Sequence, residues 1–187
     1  MKKTLKKYFI PHPENDHKPH FLREKSVITT ALVAVILFLA SIFGNYIVRT
    51  TPQLASIKSA FLVDLTNRDR VKEGLPELSI NQNLVAAAGM KANDMAENGY
   101  FAHQSPDGRN PWDFIKAAGY SYVYAGENLA VNFSDSAEVE RAWMDSPTHK
   151  KNILNSKYTE IGIATAPGVY KGDNTTFVVQ MFGRPKG

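Results

Sequence analysis

The sequence predicts an α+β domain that follows a single membrane-spanning helix. The helix is indicated by an uncharged run of 23 residues, Ser26–Val48. The domain is indicated by the rest of the chain, where helical patterns and short β-rich runs occur without βαβ alternation. The chain has 187 residues and no cysteine. A domain of about 130 residues buries enough apolar surface to fold without disulfides.

The uncharged run is long enough to cross a bilayer. At about 1.5 Å per residue, a helix over residues 26–48 spans the hydrocarbon core of about 30 Å with some tilt. The rival interpretation is a cleaved signal peptide. The charged segment before the run is unusually long for one, and no clear A-x-A cleavage site follows. The sequence therefore favours an uncleaved anchor.

The distribution of charge orients this anchor. Residues 1–48 hold seven lysines and arginines against three acids, whereas residues 49–187 hold 15 of each sign. Positive charge before the span places the N-terminus in the cytoplasm. We therefore expect a single-pass protein of the cell membrane, with a cytoplasmic basic arm (1–25), a linker (49–56) and an extracytoplasmic domain (57–187). This domain has no basic surplus to bind phosphates, which argues against a nucleic-acid partner.

Five helical segments are predicted in the domain. They cover Ile57–Glu73, Asn81–Asn98, a short segment from Pro111 that ends before Gly119, Asp135–Met144, and a segment that opens at Ser146-Pro147. Capping residues or prolines open most of them, and glycines close several. Helical spacing predicts an apolar stripe on each of the first two, namely Phe61, Leu62 and Leu65, then Leu84, Ala87, Ala88 and Met95. Lys91 shares the second spacing but, as a charged residue, is left out of the predicted core.

Three β-rich runs complete the predicted domain. They are Tyr122–Ala130, Glu160–Thr165 and Thr176–Phe182. The last two are separated by Pro167–Asn174, which contains two glycines. We therefore expect these two strands to form an antiparallel hairpin.

Three side chains in the domain are candidates for metal binding or proton transfer. His103, Glu127 and His149 are 24 and 22 residues apart, so they meet only if the fold gathers three segments. Two histidines and one carboxylate match a common catalytic zinc set. If Ser146 caps its helix, His149 lies in the first turn, where the positive helix end favours neutral imidazole. The alternative is a structural hydrogen-bond network under a loop.

Taken together, the motifs resemble the CAP superfamily, and within it the bacterial, cysteine-free, SCP-like branch. The resemblance runs from about Ile57 to Gly183. It is carried by Asn67-x-x-Arg70, Tyr100-Phe101-x-His103 with Ser105-Pro106-Asp107-Gly108, Gly126-Glu127-Asn128-Leu129-Ala130, Trp143-Met144-x-Ser146-Pro147-x-His149 with Asn152-Ile153-Leu154, and Val179-Gln180-x-Phe182-Gly183.

This resemblance implies an α–β–α sandwich with a small three-stranded antiparallel sheet. It also implies a cleft with two histidines and two acids that binds a divalent metal, often zinc. Carried over, the metal ligands are His103 and His149, and the first acid is Glu127. Eukaryotic relatives have the second acid where this chain has Ser146, which leaves the neighbouring Asp145 as a candidate. Glu127 and Asp145 are accordingly the candidate catalytic residues.

Two functions remain open from the sequence. The first is a binding module of the cell envelope that acts on a glycan, a lipid or a protein partner. The second is a metal-assisted, peptidase-like hydrolase that uses His103, Glu127 and His149, with Glu127 as general base. The departure at Ser146 and the lack of a third histidine in the domain favour the binding module.

Overall fold

The computed structural model of the protein describes residues 8–19, 23–50 and 57–187. The chain divides into two compact units, Met1–Gln53 and Leu54–Gly187. The described part of the first unit contains a short 3-10 helix, Pro13–Asn15, and helix α1, Glu24–Thr50. Residues 51–56 of the predicted linker, and residues 1–7 and 20–22 of the predicted arm, lie outside the described residues.

Helix α1 has the length and the composition of a membrane span. Its most apolar window is Lys25–Ile42, and none of that window is buried against other described residues. Large apolar side chains such as Leu32, Ile36 and Phe38 point outward. A long helix with this surface matches the thickness and chemistry of a bilayer core.

The second unit is the predicted α+β domain. Each of the five predicted helices and three predicted strands is present. In chain order the elements are α2 (Ser59–Lys72), β1 (Ser79–Ile80), α3 (Gln82–Asn98), α4 (Pro111–Ala117), β2 (Tyr122–Ala130), α5 (Ser136–Asp145), α6 (Pro147–Ile153), β3 (Glu160–Tyr170) and β4 (Asp173–Pro185).

The sheet has four strands in the order β1-β3-β4-β2, so the expectation of a three-stranded antiparallel sheet is wrong. Strands β2, β3 and β4 do pair antiparallel. The additional strand β1 pairs parallel with the start of β3, with Ser79 opposite Glu160. A two-residue strand is too short to show a period in the sequence. Strand β2 lies at one edge of the sheet, so segments from both layers can approach its free side.

The hairpin between β3 and β4 is tighter than predicted. Both strands continue through Pro167–Asn174, the segment predicted as the connection, and only Lys171 and Gly172 form the turn. These two residues have φ angles of 54° and 93°. Positive φ at both positions is the geometry of a type I′ turn, whose twist matches that of the paired strands.

The buried face of α2 also differs from the prediction. Leu62 is buried as expected, but Phe61 is 42% exposed and Leu65 is only half-buried. The buried face instead includes Val63, Thr66 and Arg70. Hydrophobic spacing missed the last two because they are polar, and they are buried only because the fold supplies hydrogen-bond partners.

Two apolar clusters cover the two faces of the sheet. Helices α2, α5 and α6 pack on one face, and α3 and α4 pack on the other. Strand β4 contributes Val178 and Phe182 to the first cluster, and Val179 and Met181 to the second. This alternation follows from the two-residue period of a strand. The result is the expected α–β–α sandwich.

Candidate functional site

His103 and Glu127 form a hydrogen-bonded ion pair at the edge strand β2. His103 Nδ1 lies 2.6 Å from Glu127 Oε1. The Glu127 side chain is 2% exposed and the His103 side chain is 62% exposed, so the acid is inside and the ring faces solvent. The bond at Nδ1 leaves Nε2 as the ring nitrogen that is open to a ligand. The fold therefore brings two of the predicted site residues into direct contact.

The surroundings of this pair change the pKa of both groups. Burial raises the pKa of the Glu127 carboxyl, although the hydrogen bond and charge of His103 and the charge of Lys91 lower it. The hydrogen bond from Glu127 raises the pKa of His103 against the effect of its partial burial. The pair therefore keeps a proton between Nδ1 and Oε1 to a higher pH than a free histidine would.

A buried lysine holds the His103 segment from inside the domain. Lys91 on α3 is fully buried, and its ammonium donates to the His103 carbonyl oxygen at 2.8 Å and to the Tyr100 hydroxyl at 2.9 Å. It also lies 4.7 Å from the centre of the Tyr100 ring. Sequence analysis excluded Lys91 from the core because of its charge. Its place in the helical stripe of α3 was the signal that it is buried.

Asp94 organises the loop between α3 and α4 that carries His103. Its carboxylate accepts hydrogen bonds from the Tyr100 hydroxyl, the Ser105 hydroxyl at 2.8 Å and the Arg109 guanidinium at 2.6 Å. Burial acts to raise the pKa of Asp94, but these hydrogen bonds and the Arg109 charge lower it overall. Ser105 is 4% exposed and already engaged with Asp94. It is therefore poorly placed to act as a nucleophile.

His149 approaches the same region from α6. It is the third residue of the helix that begins at Pro147 with Ser146 as N-cap, as predicted. Burial lowers the pKa of His149, and the charge of His103 lowers it further. The hydrogen bond from Asn128, which follows Glu127 in β2, to the His149 carbonyl oxygen links the backbone of His149 to the strand that carries Glu127. Burial and the neighbouring charge thus lower the pKa of His149 in the direction that favours neutral imidazole.

The amide side chains of Asn128 and Asn152 connect α6 to the sheet through hydrogen bonds. Asn128 Nδ2 donates to the His149 carbonyl oxygen at 3.2 Å and to Gln180 Oε1 at 2.9 Å. Asn152 Nδ2 donates to the Glu127 carbonyl oxygen at 3.0 Å and to Asn128 Oδ1 at 2.9 Å. These bonds hold the backbone of His149 beside that of Glu127. The spacing in the sequence contained no signal for such contacts.

Arg70 holds the far end of α6. Its Nη1 donates to the carbonyl oxygens of Ile153, at 2.6 Å, and Asn155, at 3.0 Å. The guanidinium is fully buried. A cation at this position also complements the negative end of the helix. Arg70 thus fixes the helix that carries His149.

The remaining predicted site residue, Asp145, lies at the end of α5 and is exposed. Its neighbour Ser146 takes part in lining a pocket with His149, and the Ser146 hydroxyl lies 3.2 Å from that of Thr148. Asp145 is absent from the lining of that pocket. The His103–Glu127 pair and His149 are therefore the parts of the predicted constellation that the fold draws together.

Beside His149 lies an apolar pocket of about 230 Å³. It is lined mainly by Phe101, Leu129, Val131, Phe133 and Trp143. A larger groove of about 400 Å³ lies between α3 and α4, but its lining is charged and includes none of the three predicted residues. The pocket beside His149 combines an apolar lining with one of the predicted site residues.

The predicted metal site would use two nitrogen donors, His103 Nε2 and the imidazole of His149. Glu127 is hydrogen-bonded to the opposite nitrogen of His103, so it would orient the ring rather than bind the ion. Among the described residues, no group of three or more histidines and acids is arranged to hold a metal. Two nitrogens supply half of a tetrahedral zinc set. Zinc binding stays a prediction.

Comparison with known proteins places this geometry in context. The sequence model of the family described as "CAP: Cysteine-rich secretory protein family" matches residues 63–182. The Bacillus subtilis protein YkwD is 44% identical over 117 residues, which are 61% of this chain and 46% of that protein. The Bacillus subtilis membrane protein YlbC is 37% identical over 102 residues, which are 54% of this chain and 30% of that protein. The chain thus spans less than half the length of these two relatives.

Solved structures show the same fold. An extracellular protein with an SCP domain from Bacillus anthracis superposes with a TM-score of 0.59 and 33% identity, covering 67% of this chain and 40% of that one. An outer surface protein of Borrelia burgdorferi has the same TM-score and 28% identity, covering 68% of this chain and 92% of that one. The matched region thus makes up nearly all of the Borrelia chain.

Proposed function

Because the chain belongs to the CAP family of cysteine-rich secretory proteins, we propose that it is a membrane-anchored, extracytoplasmic binding module of the cell envelope. The proposed ligand site is the pocket beside His149. The observation that carries the proposal is an open apolar cavity of about 230 Å³ that is lined in part by His149, whose backbone is hydrogen-bonded to Asn128, the residue next to the buried Glu127. The membrane anchor is supported by α1 and by the similarity to YlbC.

The pocket indicates which part of a ligand it takes. A dry cavity of about 150 Å³ is enough for benzene, so about 230 Å³ accommodates a ring or a short alkyl chain. The partly exposed aromatic side chains of Phe101 and Phe133 supply contact area with little loss of conformational entropy. Among the lining residues, His149 and Ser146 offer hydrogen bonds to a polar group. The proposed ligand is therefore amphipathic, as an acylated or alkylated envelope glycan or a lipid would be.

The position of Glu127 argues against its use as a general base on water. Its side chain is 2% exposed, and Oε1 is bonded to His103. A general base must reach the proton that it removes, directly or through one water. Glu127 serves better as an internal partner that fixes the ring of His103. This geometry favours binding over the hydrolase in which Glu127 activates water.

One observation keeps a hydrolase as the second candidate. A histidine whose Nδ1 is bonded to a buried carboxylate, with Nε2 open, resembles the base and orienting acid of many acyl-transfer enzymes. In that scheme His103 is the base and Glu127 positions it. In the alternative, metal-assisted scheme, His103 Nε2 and His149 would hold a metal that supplies Lewis-acid chemistry, and His103 would then be a ligand rather than the base.

Blocking the pocket is expected to abolish ligand binding. Ala142 lines the pocket from α5, so phenylalanine at this position fills the space that an alkyl chain would take. Octyl glucoside below its micellar concentration serves as the probe for residues 57–187. Trp143 emission reports binding in a Trp112→Phe background, since the chain has two tryptophans. Ala142→Phe should weaken the affinity at least about tenfold, the usual cost of lost apolar contacts.

The matched control is Ala137→Phe, which adds the same ring to an exposed position of the same helix. It should bind as the parent protein does, and chelation with EDTA should leave the affinity unchanged. Equal affinity in Ala142→Phe and the parent would refute the pocket. Turnover of peptide, peptidoglycan or ester substrates that disappears in Glu127→Gln, with an unchanged circular dichroism spectrum, would establish the hydrolase instead.

The membrane topology has its own test. Protease added to intact spheroplasts should digest residues 49–187 and spare an epitope tag at Met1, because the basic arm precedes the apolar span. Lysed spheroplasts provide the control, in which the tag is digested as well. Protection of the domain in intact spheroplasts would exclude the proposed orientation.

A further inference from the structure

A continuous row of buried hydrogen bonds runs from the candidate site through the domain. Asn128 donates to Gln180 Oε1 at 2.9 Å, and Gln180 Nε2 donates to Thr66 Oγ1 at 2.9 Å. Thr66 Oγ1 then donates to Glu140 Oε2 at 3.0 Å. Gln180 is completely buried, as are Asn128 and Thr66. The row therefore crosses from β2 through β4 and α2 to α5.

Gln180 is the branch point of this row. It lies directly opposite Asn128 in the β2–β4 register, so the two side chains meet across neighbouring strands. Gln180 Oε1 accepts a hydrogen bond from Asn128, and Gln180 Nε2 donates one to Thr66. Asn128 in turn donates to the His149 carbonyl oxygen and accepts from Asn152. Gln180 thus fixes the side chain to which α6 is attached, although it does not itself contact the site.

We propose that Gln180 is the positioning residue of the candidate site, holding His149 beside the His103–Glu127 pair through Asn128. The acceptor oxygen of Gln180 performs this role, because it determines which way the Asn128 amide faces. With that oxygen in place, Asn128 Nδ2 points toward Gln180 and His149, and Asn128 Oδ1 points toward Asn152. The bonds beyond Gln180, to Thr66 and Glu140, contribute to stability without positioning α6.

Three variants of the domain separate these two roles. Gln180→Met removes the acceptor and the donor while keeping a similar volume. Gln180→Glu keeps the acceptor toward Asn128 and replaces the N–H donor toward Thr66 by a carboxyl oxygen, which donates there only when it is protonated. Thr66→Val removes the same bond from the other side. Met95→Ala, in the cluster on the opposite face of the sheet, is the control for a general loss of core stability.

The readout is native-state hydrogen exchange at the amides of residues 150–154, compared at conditions where each variant is folded. Gln180→Met should speed their exchange about tenfold beyond its effect on the globally exchanging amides, since a buried amide loses its partner. In Gln180→Glu, Thr66→Val and Met95→Ala, the exchange rates of these amides should change by the same factor as those of the globally exchanging amides. Selective loosening of α6 in Gln180→Glu and Thr66→Val alike would overturn the proposal. This outcome can be read even if Gln180→Met does not fold.

The affinity for octyl glucoside provides a second readout, which rests on the proposed function. We expect Gln180→Met to weaken it at least about threefold, and Gln180→Glu to leave it near the parent value. Exchange needs no ligand, so the two proposals fail separately. If exchange in α6 is selectively faster in Gln180→Met but the parent protein does not bind octyl glucoside, the proposed function is refuted. The positioning role of Gln180 is then still supported. Unchanged α6 exchange in a folded Gln180→Met would remove the positioning role alone.

Discussion

Replacement of Gly162 by alanine is expected to unfold the domain or nearly so. Gly162 lies on β3, where the backbone of α3 rests directly on the strand. A Cβ atom at this position would overlap the backbone atoms of Leu84 and Val85. Backbone in the first turn of a packed helix cannot move aside as a flexible side chain can. We expect a loss of about 4 kcal/mol or more, a large part of the stability of a domain of this size.

Urea denaturation of residues 57–187, followed by circular dichroism, measures this effect. The control is Gly89→Ala on α3, where the new Cβ would lie 3.8 Å from Ala164 Cβ, an ordinary contact. Alanine there should raise stability by up to about 1 kcal/mol, through its higher helix propensity. A Gly162→Ala domain whose midpoint matches that of the parent would show that α3 does not pack on β3 as described.

Glutamine in place of Glu140 is expected to reverse the order of stability between acidic and alkaline pH. Glu140 is buried on α5, its Oε2 accepts from Thr66, and its Oε1 has no partner among the described residues. Burial raises its pKa from 4.5 to about 8, against the Thr66 hydrogen bond and with a small contribution from Asp69. The folded domain therefore prefers the neutral acid.

The sign follows from proton linkage. Between about pH 4.5 and pH 8 the folded state holds this proton and the unfolded state releases it. Stability from this group is thus fully present at low pH. It declines by about 1.4 kcal/mol per pH unit across that window and is lost above pH 8. Glutamine removes the decline but leaves an unpaired amide N–H in the core, which costs about 1–3 kcal/mol at every pH.

Stability curves of parent and Glu140→Gln should accordingly cross. We expect the variant to be less stable at pH 5 and more stable by about 2 kcal/mol at pH 9, as a difference between the two effects. Urea midpoints measured at one-unit steps of pH test this. Glu138→Gln, at a partly exposed position of the same helix, should run parallel to the parent. Parallel curves for parent and Glu140→Gln would show that Glu140 is ionised in the folded domain at neutral pH.

The helices and strands could be predicted from the sequence because the residues that begin and end them act locally. Asn81 caps α3 with its side chain, Pro111 opens α4, and Gly99 ends α3 in the left-handed conformation, as the sequence predicts. Each feature depends on neighbours within a few residues along the chain. The resemblance to the CAP family added the order of the layers. It did not reveal β1, which exists only because the start of β3 lies alongside it.

The site was predicted less completely because its contacts join distant parts of the chain. The pairing of His103 with Glu127 and the proximity of His149 agree with the expected convergence. The roles of Lys91, Gln180 and Arg70 did not follow from the sequence. Each is a polar side chain in the core, and composition assigns such residues to the surface. Only the partners that the fold supplies make their burial favourable.

By itself, the sequence determined the apolar span, the α+β class and the approximate helix boundaries, and it singled out three residues for the candidate site. These follow from composition, periodicity and motifs, which act over one turn of helix or a few residues of strand. The tertiary structure alone decided which buried side chains hold the candidate site residues in place, and in which direction the pKa values of His103, Glu127 and His149 shift. Burial and hydrogen bonding set both, and they depend on residues far away in the sequence: Glu127 is 24 residues from His103, and Gln180 is 52 residues from Asn128.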